Sequence, residues 1–329
     1  MSKSISKNTN DKKSQQSAVE IIHCEKAKEF HEVLQPTNPL WGAGFECPWL
    51  FRGQWNARWS LYPKAWRSDK QKTLEPAVAW FREQVVENWD SYIADLRSNV
   101  GGTWPKDLTI DILSQVGAES QAVYEFSLLA DELGLHIPGG TSAFTDSGMA
   151  AIRSFTEGHG APRSTACAFA QHHGVPTRYL DVTRRPLVAA YFATRGESKE
   201  KCERIAVWAI NTEATGTFEI AFIGSLGSYT VTCPRSQHSF LHAQDGLFVG
   251  ISGSEHFYLD QGRWPSLVDA VEKQCSKEKS ASLLKFTLPV SEVQELRRLL
   301  WLDRISQAHL MPSYDSVTVT LLEKWRAFA

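Results

Sequence analysis

One stretch, residues 169–194 (FAQHHGVPTRYLDVTRRPLVAAYFAT), constrains this chain more than any other. Two adjacent histidines, a glycine, a proline, arginines beside threonines and an acid crowd its first half, and a nearly uncharged, helix-like run closes it. A hydrophobic core has no use for that density of polar groups, because each one buried must find a partner. A second island lies far upstream at residues 50–67 (LFRGQWNARWSLYPKAWR). The two are expected to meet in space as the walls of one cleft.

Size and composition set the frame. With 329 residues, 42% hydrophobic and 22% charged, the chain can bury a sizeable core. A formal net charge of -2 gives no global pull toward nucleic acid or membrane, yet permits a local basic groove. The six cysteines are scattered, without a C-x-x-C pair or ligand-like spacing to histidine. That argues against a metal site or a disulfide framework and for a reducing cytoplasm. Residues 1–17 are polar and Lys/Ser/Asn-rich, so a disordered tail is expected rather than a signal peptide. No apolar run approaches the ~20 residues of a membrane-spanning helix. The rest, 18–329, reads as a single domain. Twelve tryptophans are many, and most fall in the first third. They are expected to fill the core and anchor an insert, or, for one or two, to line a stacking surface for a base.

Periodicity supplies the elements. Residues 19–34 read as a strand entering an amphipathic helix, and Trp49-Leu50-Phe51 as a short strand ending at Arg52-Gly53. Helical spacing dominates residues 73–135, broken at Gly101-Gly102 and stopped by Gly134, and residues 73–160 form a helical insert between the two islands. Residues 141–160 are Gly/Ser/Thr-rich and read as a mobile connection. Strands are expected at 204–210, 218–223, 247–251 and 283–288. Ser291 and Gln294 give a capping-box pattern for a helix to about Trp301, and a last element covers 317–329. The sum is an α+β chain, helix-rich first and strand-rich later.

Candidate functional residues come with competing roles. Arg52 offers a rigid fork for a phosphate or ribose hydroxyl, or pairs with a structural carboxylate. Gly53 lets backbone approach a ligand closely. His172 and His173 follow a helix and serve as hydrogen-bonding or acid–base groups, or tie a loop. Asp181 or Thr183 is the expected N-cap of the helix that Pro186 opens, and that helix start is also an anion site. Gln244 precedes a strand. No Walker A, G-x-G-x-x-G, G-x-S-x-G or H-E-x-x-H pattern is present.

The phrases LFRGQ…W.L.P..WR, FAQHHGVPTRYLDVT…PLVAAYFAT and AQDGLF together resemble the FRG domain family, named for its Phe-Arg-Gly triplet. The resemblance runs discontinuously over roughly residues 45–320, with 78–162 longer than usual, and PSYDS departs from the usual end. FRG domains are similar in motif order to the ADP-ribosyltransferase fold, which implies a split β-sheet core. Phe51-Arg52-Gly53 then resembles the aromatic-Arg-Gly strand of those enzymes. Thr183 with residues 189–192 resembles their middle Ser/Thr element and helix, and Gln244 their final Glu or Gln. No E-x-E or Q-x-E accompanies Gln244, a departure from the arginine-modifying branch.

What this implies is an NAD-dependent ADP-ribosyltransferase toxin of a bacterial toxin–antitoxin or anti-phage system. NAD is the co-substrate, single-stranded RNA the expected acceptor and an antitoxin the partner. The resemblance assigns NAD contacts to Arg52, Gly53, Gln54, His172, His173, Thr177 and Arg178. It assigns catalysis to Arg52, His172, Asp181, Thr183 and Gln244. Such chemistry passes through an oxocarbenium-like transition state, as in glycosidases. The leaving nicotinamide is already cationic, so clamping and charge stabilisation matter more than a general acid. RNA phosphates would meet Arg178/Arg184/Arg185 or Arg297/Arg298/Arg304. The rival readings are an NAD glycohydrolase, a protein-targeting transferase and a nucleotide-binding module without turnover.

Overall fold

The computed structural model describes residues 18–328 except 43, 45–46, 68–73, 138–146, 160–164, 197–201, 214–224, 235–237 and 275–281. The expected N-terminal tail and the strand expected at 218–223 lie outside the described residues, as do residues 141–146 and 160; residues 147–159, expected as part of a mobile connection, are instead mostly helical (Gly148–Ser154 and Phe155–His159). Strand β1 (Val19–His23) leads into helix α1 (Ala27–Val33), followed by β2 (Trp49–Gln54). Helices α2 (Glu75–Glu87), α3 (Trp89–Asp95), α4 (Lys106–Glu132) and α5 (Gly148–Ser154) come next. They bury a core of their own around Phe81, Leu96, Leu113 and Ile152. Helix α6 (Thr165–His172), strand β3 (Tyr179–Thr183) and helix α7 (Pro186–Ala193) carry the polar stretch. The chain continues through β4 (Arg204–Asn211), β5 (Gly227–Val231), α8 (Ser239–Ala243), β6 (Gly246–Ser252), α9 (Ser254–Gln261) and α10 (Leu267–Gln274). It ends with β7 (Leu283–Pro289), α11 (Val293–Leu302), α12 (Gln307–Leu310) and α13 (Tyr314–Phe328).

The strands form one mixed sheet in the order β1-β7-β4-β2-β3-β6-β5, all neighbours antiparallel except β1 and β7. Strand β4 is apolar on both sides of its pleat and therefore needs cover on both faces. Ile205, Val207 and Ala209 pack under α7, α1 and α11, while Ala206, Trp208 and Ile210 pack toward α10. Tryptophans 41, 49, 66 and 104 are buried, in keeping with a core-filling role.

Three expectations need correction. Strand β2 runs through Arg52-Gly53 to Gln54, because all six residues pair with β4. Asp181 and Thr183 do not cap α7; both belong to β3, and the N-cap is Arg185, whose N–H donates to Thr183 Oγ1 at 3.0 Å. The capping box at Ser291 and Gln294 does not form. A 3₁₀ turn (Val290–Glu292) precedes α11, and the Gln294 amide donates instead to the Arg326 carbonyl at 2.8 Å. Strands β3 and β5 and helices α9 and α10 were not expected from the sequence.

A buried ion cluster ties the helical layer to the sheet. Arg178, at the entrance to β3, donates from Nε to Glu119 of α4 at 2.8 Å and from Nη1 to Glu255 of α9 at 2.7 Å. Trp66 Nε1 and Gln115 Nε2 complete Glu119, each at 2.8 Å. Burial alone would push the Glu255 carboxyl up, but the Arg178 charge and hydrogen bond outweigh it and hold the group below its ordinary value. A carboxyl depressed in the folded state stabilises the fold above its unfolded pKa and loses that contribution as pH falls. Unfolding titrations should therefore show stability falling below pH 4.5, with a shallower slope in Glu255→Gln. Arg178→Met, which strands two buried carboxylates, should cost about 3–5 kcal/mol in urea denaturation.

Candidate functional site

Strands β2 and β3 share a single bridge, Phe51 with Thr183. On one side of it lie the four strands β1, β7, β4 and β2, on the other β3, β6 and β5. Beyond the bridge β2 and β3 part, and the opening would leave carbonyls without ladder partners, at a cost of about 1–3 kcal/mol each if buried. The Arg52 side chain fills the opening. Its Nη1 donates to the Asp181 carbonyl at 2.6 Å and lies 3.8 Å from the Asp181 carboxylate.

A cavity of about 340 Å³ occupies this parting. Its polar wall is made by Arg52, Gln171, His172, Asp181, Thr183 and Gln244, and its apolar wall by Phe51, Val182, Ala189, Phe192 and Met311, with Gly53 at the rim. The volume falls in the lower part of the ~300–1,000 Å³ range of small-molecule pockets, so a dinucleotide would be enclosed at one end only. Of the residues expected at the site, the structure brings together Arg52, Gly53, His172, Asp181, Thr183 and Gln244. They come from β2, α6, β3 and the turn before β6, separated by up to 192 positions along the chain.

Four others lie elsewhere. Gln54 is buried in the sheet, accepting from Trp208 Nε1 at 2.8 Å and donating to the Ser60 carbonyl. Thr177 is buried against Gln171 at 2.9 Å. Arg178 has its charge met twice over in the ion cluster, so a phosphate-binding role for it is corrected to a structural one. His173 leaves the cavity and sits against Phe169 and Phe126, with ring centroids 4.5 and 6.0 Å away. Among the described residues that line the cavity there is no tryptophan.

Burial sets the electrostatics. It lowers the Arg52 pKa to about 10, with Asp181 opposing and Arg67 adding to the shift. Arg52 stays cationic at neutral pH, and its Nε is buried without a hydrogen-bond partner. Burial likewise pushes the His172 imidazole below its ordinary range, against the pull of Asp181 and with help from His238. It is therefore a neutral hydrogen-bonding ring near pH 7. Thr183 Oγ1 donates to the Gln244 carbonyl at 2.6 Å and Gln244 Nε2 donates to the Leu310 carbonyl at 3.2 Å, so both hold the cavity wall in shape. Asp181 is the one carboxylate among the described residues of the lining, and it is set by Gln171 Nε2 at 2.8 Å. Among the described residues no group of three or more His, Cys, Asp or Glu is placed to hold a metal ion.

Gln171, Phe192 and Met311 escaped the sequence reading. Gln171 stands directly before the histidine pair, and that adjacency was the signal for it. Met311 arrives from the far end of the chain and left none. Gly53 has a different role from the one expected. A Cβ there would lie 2.0 Å from the Ala189 carbonyl and 2.5 Å from Ala193 N, so it is α7 that approaches this backbone. Gly53→Ala should accordingly cost about 2–3 kcal/mol in equilibrium unfolding. A variant as stable as the parent would mean that α7 can back away freely.

Residues 142–202 match the family model of the FRG domain. No curated protein and no solved structure matches the chain significantly. The matched segment spans α5, α6, β3 and α7, while Arg52 and Gln244 stand outside it. The segment that matches the FRG domain model supplies Gln171, His172, Asp181 and Thr183 to the cavity.

Proposed function

We propose that the cavity binds NAD and that the protein breaks its nicotinamide–ribose bond to transfer ADP-ribose. One observation carries the reading. The Phe51-Arg52-Gly53 strand and the Thr183 end of β3 meet at a single bridge, and a cation, a carboxylate, a neutral imidazole and an amide face one cavity where the sheet parts. In this proposal the Arg52 guanidinium holds a phosphate or ribose oxygen from the polar wall of the cavity. Asp181 faces the ribose as positive charge grows there, the task a carboxylate performs in glycosidases. His172 hydrogen-bonds a ribose hydroxyl, and Thr183 with Gln244 keeps the wall rigid. The apolar wall from Phe51, Ala189 and Phe192 accepts the nicotinamide ring.

For the acceptor we propose a nucleic-acid base, since no E-x-E or Q-x-E pattern stands at Gln244. A plain NAD glycohydrolase is the second reading, and the arginines favour it. Arg178 is buried in ion pairs, Arg184 lies 3.6 Å from Asp245, Arg185 donates to the Ala243 carbonyl, Arg297 to that of Thr194, and Arg298 grips Glu295. These residues do not present a shared groove for phosphates.

NAD labelled on its adenylate phosphate, incubated with the protein plus total RNA, cell protein or nothing, separates the readings while free nicotinamide is followed in the same tubes. Label in RNA supports the transferase, and nicotinamide release without label supports the glycohydrolase. Binding of NAD with no release would sink both. Asp181→Asn should slow nicotinamide release about 100–1,000-fold with NAD still bound by calorimetry. Arg52→Ala should lose NAD binding itself. Because the folded state holds His172 below its ordinary 6.5, its protonation should not depress turnover until pH falls beneath that value.

A further inference from the structure

Helix α13 is amphipathic the wrong way round. Ser316, Thr320 and Glu323 face the domain: Thr320 Oγ1 accepts from Ala308 N at 2.8 Å, and Glu323 pairs with Arg195 at 2.6 Å and with the Tyr191 hydroxyl at 3.3 Å. The outward face carries Tyr314, Val317, Leu321, Leu322 and Trp325, with Tyr314 93% and Trp325 59% exposed. At 3.6 residues per turn these five fall within one continuous stripe, the pattern of a face that expects apolar cover. A surface helix ordinarily turns such a stripe inward. The polar residues 1–17 hold no apolar run that could supply the cover.

We infer that the cover is a second copy of this chain, paired antiparallel with the first through α13. The argument is charge complementarity. Asp315 at the start of the stripe and Arg326 at its end stand about three turns apart, so they lie on the same flank. Both are exposed, and neither has an ion-pair partner among the described residues. A two-fold axis through the middle of the stripe keeps each flank on its own side while reversing the helix. Asp315 of one copy then meets Arg326 of the other, twice. Tyr314 comes opposite Trp325, Leu321 lies near the axis, and Val317 and Leu322 line the two opposite edges of the contact. A parallel pairing, with its axis along the helices, would instead put the two copies' charged flanks on opposite sides and form neither Asp315–Arg326 pair. Fully covered aromatic side chains bury ~150–250 Å² each. The stripe therefore offers a large part of the ~800 Å² per partner of a standard interface.

The dimer would also brace the cavity. Glu323 on the inner face of α13 holds Tyr191 and Arg195 at the end of α7, the helix that supplies Ala189 and Phe192 to the apolar wall.

Sedimentation equilibrium of the full chain across the micromolar range tests this. The expected mass is about twice 36.9 kDa at the upper concentrations, and Leu321→Asp should return it to the monomer with an unchanged far-ultraviolet circular dichroism spectrum. Asp315→Arg should weaken association at least about tenfold, and adding Arg326→Asp should restore it. A chain that stays monomeric throughout, or a dimer indifferent to Leu321→Asp, overturns the proposal. So does a double variant weaker than the single one, because it removes the antiparallel register.

Discussion

The guanidinium of Arg52 sits where the sheet stops being a sheet. Two halves of four and three strands are held by one backbone bridge between Phe51 and Thr183, and everything beyond that bridge must satisfy its polar groups by other means. Arg52 does so by donating to the Asp181 carbonyl. Its rigid fork reaches across the gap and leaves part of its donor capacity directed away from that bond. The parting is thus stabilised without being closed, and a cavity persists between two packed layers.

Two arginines, Arg178 and Arg52, show how burial and its partners decide a role. Arg178 is surrounded by Glu119 and Glu255 with bonds of 2.8 and 2.7 Å, and these carboxylates raise its pKa against the lowering effect of burial. Arg52 faces a carbonyl and one carboxylate at 3.8 Å, and burial brings its pKa down to about 10. The first charge is spent on holding the helical layer to β3. The second is only partly compensated, and an incompletely paired cation at the edge of a cavity attracts an anion.

Helix α7 is the mechanical centre of the same region. Its small residues let it lie directly on Gly53, where any side chain would strike the Ala189 carbonyl. Its far end is gripped by Glu323 from α13 through Tyr191 and Arg195. The apolar wall of the cavity is therefore held by two contacts on the C-terminal half of α7, a backbone approach that excludes a single methyl group and the bonds from Glu323.

Much of this was legible in the chain itself. Alternating and continuous apolar patterns located β1, β4, β6 and β7, and 3.6-residue spacing located the helices of residues 75–132, because both follow from side-chain direction within a short window. The polar density of residues 169–183 likewise marked Arg-, His- and Asp-bearing segments as site material. Strand β3 was missed because YLDVT alternates weakly and stands beside a helix-opening proline; it becomes a strand by pairing five residues with β6. The division of labour between Arg52 and Arg178, the holding roles of Thr183 and Gln244, and the arrival of Met311 were decided by tertiary structure alone. Sequence determines which groups are costly to bury, but their partners come from positions tens to hundreds of residues away, and only the packed fold brings those partners within hydrogen-bonding distance.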